Sequence, residues 1–310
     1  MFPDEEKYSS EVRKQFSKEF AFAREMLEFW LATKKDSWLD KNPLPTQTKR
    51  LAMGLHTQAC RQMRTIIEEC SRCESFGAEV TARCMFETIL ALVFILKPKV
   101  HVVTNPVVKD GQHLKTKDGV LRYSAKRPDT IDPESPYNEL SHEFRTRLYL
   151  SHMLFQQVEH AEKCRRLGDS KQLGDMLANL INPDQVATAT QWLGPIWTYI
   201  LQERGQYSGL NVAELSLLLS PDLFRWYVTM YGPQSLFVHG LNAVVHVRTH
   251  ADGSLGSAFQ SDPDEVHRLL NVSAILFRLF MLEMEQDIGF GAAGQLANFQ
   301  NEFDQIYLKD

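Results

Sequence analysis

Two rows of polar residues interrupt the most apolar helical text of this chain. Between Ala78 and Leu96, Glu79, Arg83 and Glu87 recur every four residues, which places them on one face of a helix. Between Gln234 and Val247, Ser235, His239, Asn242 and His246 fall at helical spacing, again on one face. Every residue from Ile89 to Leu96 is apolar, so at least that half of the first helix must lie deep. A charge buried without a partner costs several kcal/mol, so these groups must be paired, hydrated in a cleft, or both. Arg83 and Glu87 facing Ser235 and His239 would form an acid–base or phosphate-binding set. The same residues admit a structural reading: a salt-bridge ladder on one helix and a hydrogen-bonded core histidine on the other.

A second arrangement comes from Arg and His at short spacing. Metal-independent helical ribonucleases of the HEPN type carry an Arg followed, after four to six residues, by a His. The chain offers Arg50 with His56, Arg145 with His152 and Arg147 with His152. Its 18 Arg and 10 His give roughly two such matches by chance, so the pattern alone decides nothing. Geometry favours Arg145, because residues seven apart share a helix face. Arg145 and His152 therefore stand beside Arg83, Glu87, Ser235 and His239 as candidate catalytic residues.

Other motifs carry less. Cys70 and Cys73 form a lone CxxC with no further ligand nearby, and Glu139 with His142 is a single Glu-x-x-His where a di-iron bundle needs two. His246 and His250 have only Asp252 as a neighbouring carboxylate. Gly289, Gly291 and Gly294 match a dinucleotide fingerprint as a string, but they come after a long helix where that motif needs a strand. There is no GxxxxGK[ST] and no GxSxG. No metal and no cofactor is expected.

The elements that must position these residues read as helices. Apolar residues at spacings of three and four run through Tyr8–Ala32, Gln47–Cys70 (with Thr46 as N-cap), Ala78–Leu96, Tyr137–Leu167, Pro183–Glu203, Pro221–Met230, Gln234–Val247 and Pro263–Asp287. Residues 98–136 differ: they are rich in Pro and Asp-Gly, and Val100–Thr104 and Val120–Tyr123 could pair as a hairpin. The expected fold is all-α, a bundle of about seven to nine helices with one inserted hairpin-like loop. Residues 1–46 would form a helical extension, 47–290 the bundle with its insertion at 98–136, and 291–310 a loosely ordered tail.

Composition bounds the function classes. The chain has 310 residues, a net charge of −5 and 44% hydrophobic residues, the profile of an ordinary globular protein. That charge argues against coating nucleic acid or an anionic membrane wholesale. Locally the balance reverses: Lys97 to Arg127 holds eight basic residues against Asp110 and Asp118, which reads either as a solvated loop or as a contact surface for RNA or an acidic partner. Five cysteines spread through helical text, an N-terminus without an apolar h-region, and no apolar run near the ~20 residues of a spanning helix give a cytoplasmic expectation with no membrane association. A protein partner or a homodimer is also compatible.

The order of motifs adds a resemblance. EVTARCMFETILALVFIL resembles the R-x3-E segment of a widespread bacterial helical family of unassigned function, and LNVAELSLLLSPDLFRWYVTMYGPQSLFVHG resembles its Tyr-x3-Ser-x3-His ending. The matching positions are Arg83, Glu87, Tyr231, Ser235 and His239, within residues ~50–97 and ~137–285. Members are similar in outline to HEPN-like proteins, some acting in toxin–antitoxin and phage-defence settings. The resemblance implies a HEPN-like helical fold. Two functional expectations remain: a metal-independent ribonuclease, or a non-catalytic helical module that engages a protein partner.

Overall fold

A computed structural model describes residues 3–33, 43–98, 100–104, 108–109, 112–113, 123–125, 138–167, 170–204, 207–232, 247–249, 255–257, 261–289 and 291–307. Helix dominates them, in eleven α-helices rather than the seven to nine expected. These are α1 (Pro3–Gln15), α2 (Ser17–Thr33), α3 (Thr46–Ser71), α4 (Ser75–Leu96), α5 (His142–Arg166), α6 (Lys171–Asn179), α7 (Pro183–Arg204), α8 (Val212–Leu219), α9 (Pro221–Trp226), α10 (Pro263–Ile288) and α11 (Ala293–Tyr307). A π-helical turn, Tyr227–Tyr231, continues α9.

The higher count has three sources. The text read as one helix over 8–32 breaks at the single residue Phe16, although Phe16 N–H still donates to Val12 O (3.0 Å) and Phe20 N–H to Phe16 O (3.1 Å). The short helices α6 and α8 span about two turns each, too little text for a periodic signal to stand out. The expected loose tail is helix α11, which buries Leu296, Phe299 and Phe303. Its entry is fixed by Gly289, a left-handed C-cap at φ 72°, and by Ala292 N–H donating to Glu285 Oε2 at 3.1 Å. Thr46 is the first residue of α3 and Pro45 is its N-cap, so no side chain caps that helix.

Short antiparallel ladders complete the architecture. Strand β1 (His101–Thr104) pairs with β4 (Tyr123–Ala125) and with β5 (Asn138–Glu139), Val102 opposing Ala125 and Asn138. The expected pairing across the insertion is present, with its second strand a few residues further along. Two-residue strands β2 (Val108–Lys109) and β3 (Gln112–His113) pair with each other, as do β6 (Val247–Thr249) and β7 (Leu255–Ser257). Val247, expected to end a helix, is therefore a strand residue; residues 233–246 lie outside the described residues.

Contacts divide the chain into two compact units, 1–96 with 221–310, and 97–220. Helices α1, α2 and α11 belong to the first unit. That core is built on α4, whose residues Ile89–Leu96 are all at most 2% exposed. Trp30 meets Phe280 edge-on at 5.5 Å, and Phe22 meets Phe299 likewise at 6.0 Å. In the second unit, α5 buries Leu148, Phe155, Ala161 and Cys164. Ser141 caps α5 by accepting from Phe144 N–H, and Asn211 with Glu214 forms a reciprocal capping box on α8.

Candidate functional site

The polar row on α4 divides along its length. Glu79 is 2% exposed and its Oε1 accepts from Arg268 Nη2 of α10, an ion pair between two core helices. One turn on, the row opens towards solvent. Arg83 Nε stands 3.6 Å from Glu87 Oε1, and the two side chains are 21% and 48% exposed. Tyr231 closes this pair from below. Its hydroxyl donates to Glu87 Oε1 at 2.6 Å, and Arg83 Cζ lies 4.9 Å from its ring centroid.

The π-turn sets the position of Tyr231. An i→i+5 turn holds one residue more than an α-turn and so rotates the residues beyond it, and such turns often mark functional sites. The Tyr231 ring stacks on Tyr227 at 5.4 Å and packs on Phe86 at 5.4 Å, while Phe86 meets Trp226 at 4.5 Å. Tyr231 is thus 6% exposed within an aromatic bed, its hydroxyl turned to the carboxylate. Burial, then the bond to Glu87 and the charge of that carboxylate, push its hydroxyl up to about 12 against the opposing pull of Arg83. It stays protonated at neutral pH and holds Glu87 as an acceptor.

This arrangement joins two separate pieces of sequence. Arg83 and Glu87 come from the R-x3-E text and Tyr231 from the Tyr-x3-Ser-x3-His text, 144 residues from Glu87. Ser235 and His239 lie outside the described residues. No known family model, curated protein or solved structure matches this chain. What the site can do therefore rests on its own geometry. A partly exposed guanidinium set between a carboxylate and an aromatic face is a group that can pair with an anion such as a phosphate.

The second candidate pair is not brought together at its functional ends. Arg145 is 0% exposed, and Nη2 donates to Lys97 O at 2.6 Å while Nε reaches Ser141 O at 3.4 Å. His142 Nδ1 lies 3.0 Å from the same Nη2. These contacts point the guanidinium back towards the start of α5. His152 sits ten residues beyond His142, about 15 Å along the helix. Its ring lies edge-on to Tyr207 at 6.1 Å, and its buried Nδ1 makes no hydrogen bond. Arg147 pairs with Glu143 at 2.6 Å and lies over Trp192 at 4.9 Å. The third pair is also divided, since Arg50 is exposed while His56 is a core residue 5.3 Å from the Trp30 ring.

Burial lowers the His152 imidazole below its ordinary value, with a consequence for stability. As pH falls through about 6.5 the unfolded chain takes up this proton before the folded one does. Stability from neutral His152 is present above that range and lost below it. The urea midpoint should fall between pH 7 and pH 5, and His152→Phe should lessen that fall. Equal acid sensitivity in the two proteins would show that His152 is not the group responsible.

Among the described residues, no three His, Cys, Asp or Glu side chains gather as a metal would need. Cys70 and Cys73 are buried thiols that burial pushes up, so neither has thiolate character near neutral pH. Glu139 belongs to β5 while His142 opens α5, so their spacing does not place them on one helical turn. Gly289 and Gly291 lie between two helices and Gly294 within the second, a context with no strand to present a dinucleotide. The side chains of the basic stretch beyond Lys97 lie outside the described residues. No described helix is long and apolar enough to cross a membrane.

Sequence reasoning missed Arg268, which pairs with the first member of the α4 row. The signal available for it is a cation set directly against the apolar text of α10.

Proposed function

We propose that this chain is a HEPN-like helical ribonuclease of the toxin or phage-defence type, acting on RNA without a metal. The observation that supports this reading is the meeting of Arg83, Glu87 and Tyr231, because it sets a guanidinium at an accessible surface with its orientation fixed. Arg83 binds the scissile phosphate and stabilises the charge that grows on its oxygens in the pentavalent transition state. Glu87 and Tyr231 are positioning residues that fix the plane of Arg83.

His239 is the general base. It takes the ribose 2′-OH proton, the 2′-oxygen attacks phosphorus, and the bond to the 5′-oxygen breaks. That oxygen leaves with a proton from water, so the products are a 2′,3′-cyclic phosphate and a 5′-hydroxyl. Ser235 lies on the same helical spacing and would bind a non-bridging oxygen. The basic residues between Lys97 and Arg127 supply sequence-independent attraction for the RNA backbone.

The test is cleavage of total cellular RNA by purified protein in excess EDTA, with His239→Ala and His152→Ala alongside. Cleavage that survives EDTA, disappears in His239→Ala and persists in His152→Ala is the expected pattern. Intact RNA in every lane, with all three proteins folded, would overturn it in favour of a non-catalytic module that engages a protein partner.

A further inference from the structure

Ten large apolar side chains are exposed among the described residues, and five of them fall between 153 and 180, on the hairpin of α5 and α6. Leu173, Met176 and Leu180 are 47%, 61% and 80% exposed, with Leu167 at 63% and Met153 at 45%. The first three recur at spacings of three and four, the seam of a helix that packs on another helix. They do not pack on α5. That side of α6 is occupied by Gly174, where a Cβ would lie 2.6 Å from Arg165 N and 2.8 Å from Ala161 O. The glycine brings the two backbones close, and the apolar seam is left facing outward.

Three observations say what covers it. The first is extent: Leu167, Leu173, Met176 and Leu180, 47–80% exposed, make a run of large apolar side chains of the kind found at the core of an interface. The second is charge. Most ionic side chains of the α5–α6 hairpin are paired within it: Arg165 with Asp175 at 2.8 Å, Lys163 with Glu159 at 2.7 Å and Arg166 with Glu162 at 3.7 Å. A rim neutralised in this way offers little to an RNA backbone or an anionic lipid, and it does not repel an identical rim. The third is self-complementarity. In an antiparallel pairing of two α6 helices about a two-fold axis between positions 176 and 177, Leu173 of one copy faces Leu180 of the other, and Met176 lies beside the axis.

We infer that the exposed face of α6 is a homodimer interface, formed by two copies of this chain through an antiparallel pair of α6 helices. The inference is independent of the ribonuclease reading, and its test does not involve RNA.

The test is sedimentation velocity of the full chain at about 50 μM, a concentration at which an interface of micromolar affinity is mostly formed. The wild type should sediment as a dimer. Met176→Lys combined with Leu180→Lys should be monomeric there, with a dissociation constant raised at least ~100-fold. Leu217→Lys, on an exposed residue of α8 that is 42% accessible, should leave the dimer intact.

Should the double variant lose helical circular dichroism, a crosslink replaces it. In a Cys84→Ser background, Met176→Cys should yield a covalent dimer with a short bismaleimide and Leu217→Cys should not. A wild type that is monomeric at this concentration would overturn the inference and leave the face to another protein or to another part of this chain. So would a dimer indifferent to the changes on α6.

Discussion

Arg145→Ala should destabilise the 97–220 unit by about 3 kcal/mol, one of the largest effects of any single polar substitution in the chain. Two terms combine. Arg145→Ala removes a charge-assisted hydrogen bond to the carbonyl of Lys97, 2.6 Å away, at a cost of about 1–3 kcal/mol. Deleting a fully buried long side chain also opens a cavity, which adds a packing term. Arg145→Met separates the two. It refills the space but not the hydrogen bond, and replacing a buried charge by an apolar group of similar volume is often mild, so its cost should be about half as large. Urea unfolding monitored by circular dichroism measures both. A cost within about 0.5 kcal/mol for Arg145→Ala would contradict the structural role. Loss of RNA cleavage with stability unchanged would return Arg145 to the catalytic set.

The second large effect belongs to Arg83. Removing one preorganised donor from a developing oxyanion typically costs about 10²–10³ in rate, and Arg83→Ala should lower kcat by that factor. The fold should tolerate the change, because the Arg83 side chain is partly exposed and its ion pair with Glu87 is a long one at 3.6 Å. Arg83→Lys should recover little, since an ammonium lacks the planar fork that can meet a phosphate with two parallel donors. Glu87→Gln distinguishes positioning from chemistry. Its amide oxygen can still accept the Tyr231 hydroxyl, so kcat should fall less than in Arg83→Ala, by about tenfold. An equal loss in Glu87→Gln and Arg83→Ala would make Glu87 a participant in proton transfer.

Helix content and the depth of α4 are legible in the sequence because apolar periodicity reports burial directly: the run Ile89–Leu96, expected to lie deep, is at most 2% exposed. Break points are less legible. Nothing in the period around Phe16 marks the boundary between α1 and α2, and Gly289 marks the end of α10 but not the helix beyond it. Periodicity also brings Glu79, Arg83 and Glu87 onto one face. It cannot say that Glu79 is claimed by Arg268 while Arg83 and Glu87 open to solvent, because that depends on which helix crosses α4 at each turn. The spacing of Arg145 and His152 puts them on a shared face of α5. The direction of the guanidinium is not in the spacing, because it is set by the carbonyls of Lys97 and Ser141.

Tyr231 shows both sides of this limit. The motif that holds it can be read in the sequence, and its contact with Glu87 cannot, because a π-turn shifts helical register in a way that a period of 3.6 does not anticipate.

The most direct test of the account is single-turnover cleavage of one end-labelled RNA in excess EDTA, with wild-type protein and Arg83→Ala side by side and their melting temperatures matched. The account predicts that the wild type releases fragments ending in a 2′,3′-cyclic phosphate and that Arg83→Ala does so about 10²–10³ times more slowly. Wild-type protein that leaves the RNA intact, or Arg83→Ala that cleaves at the wild-type rate, would contradict it.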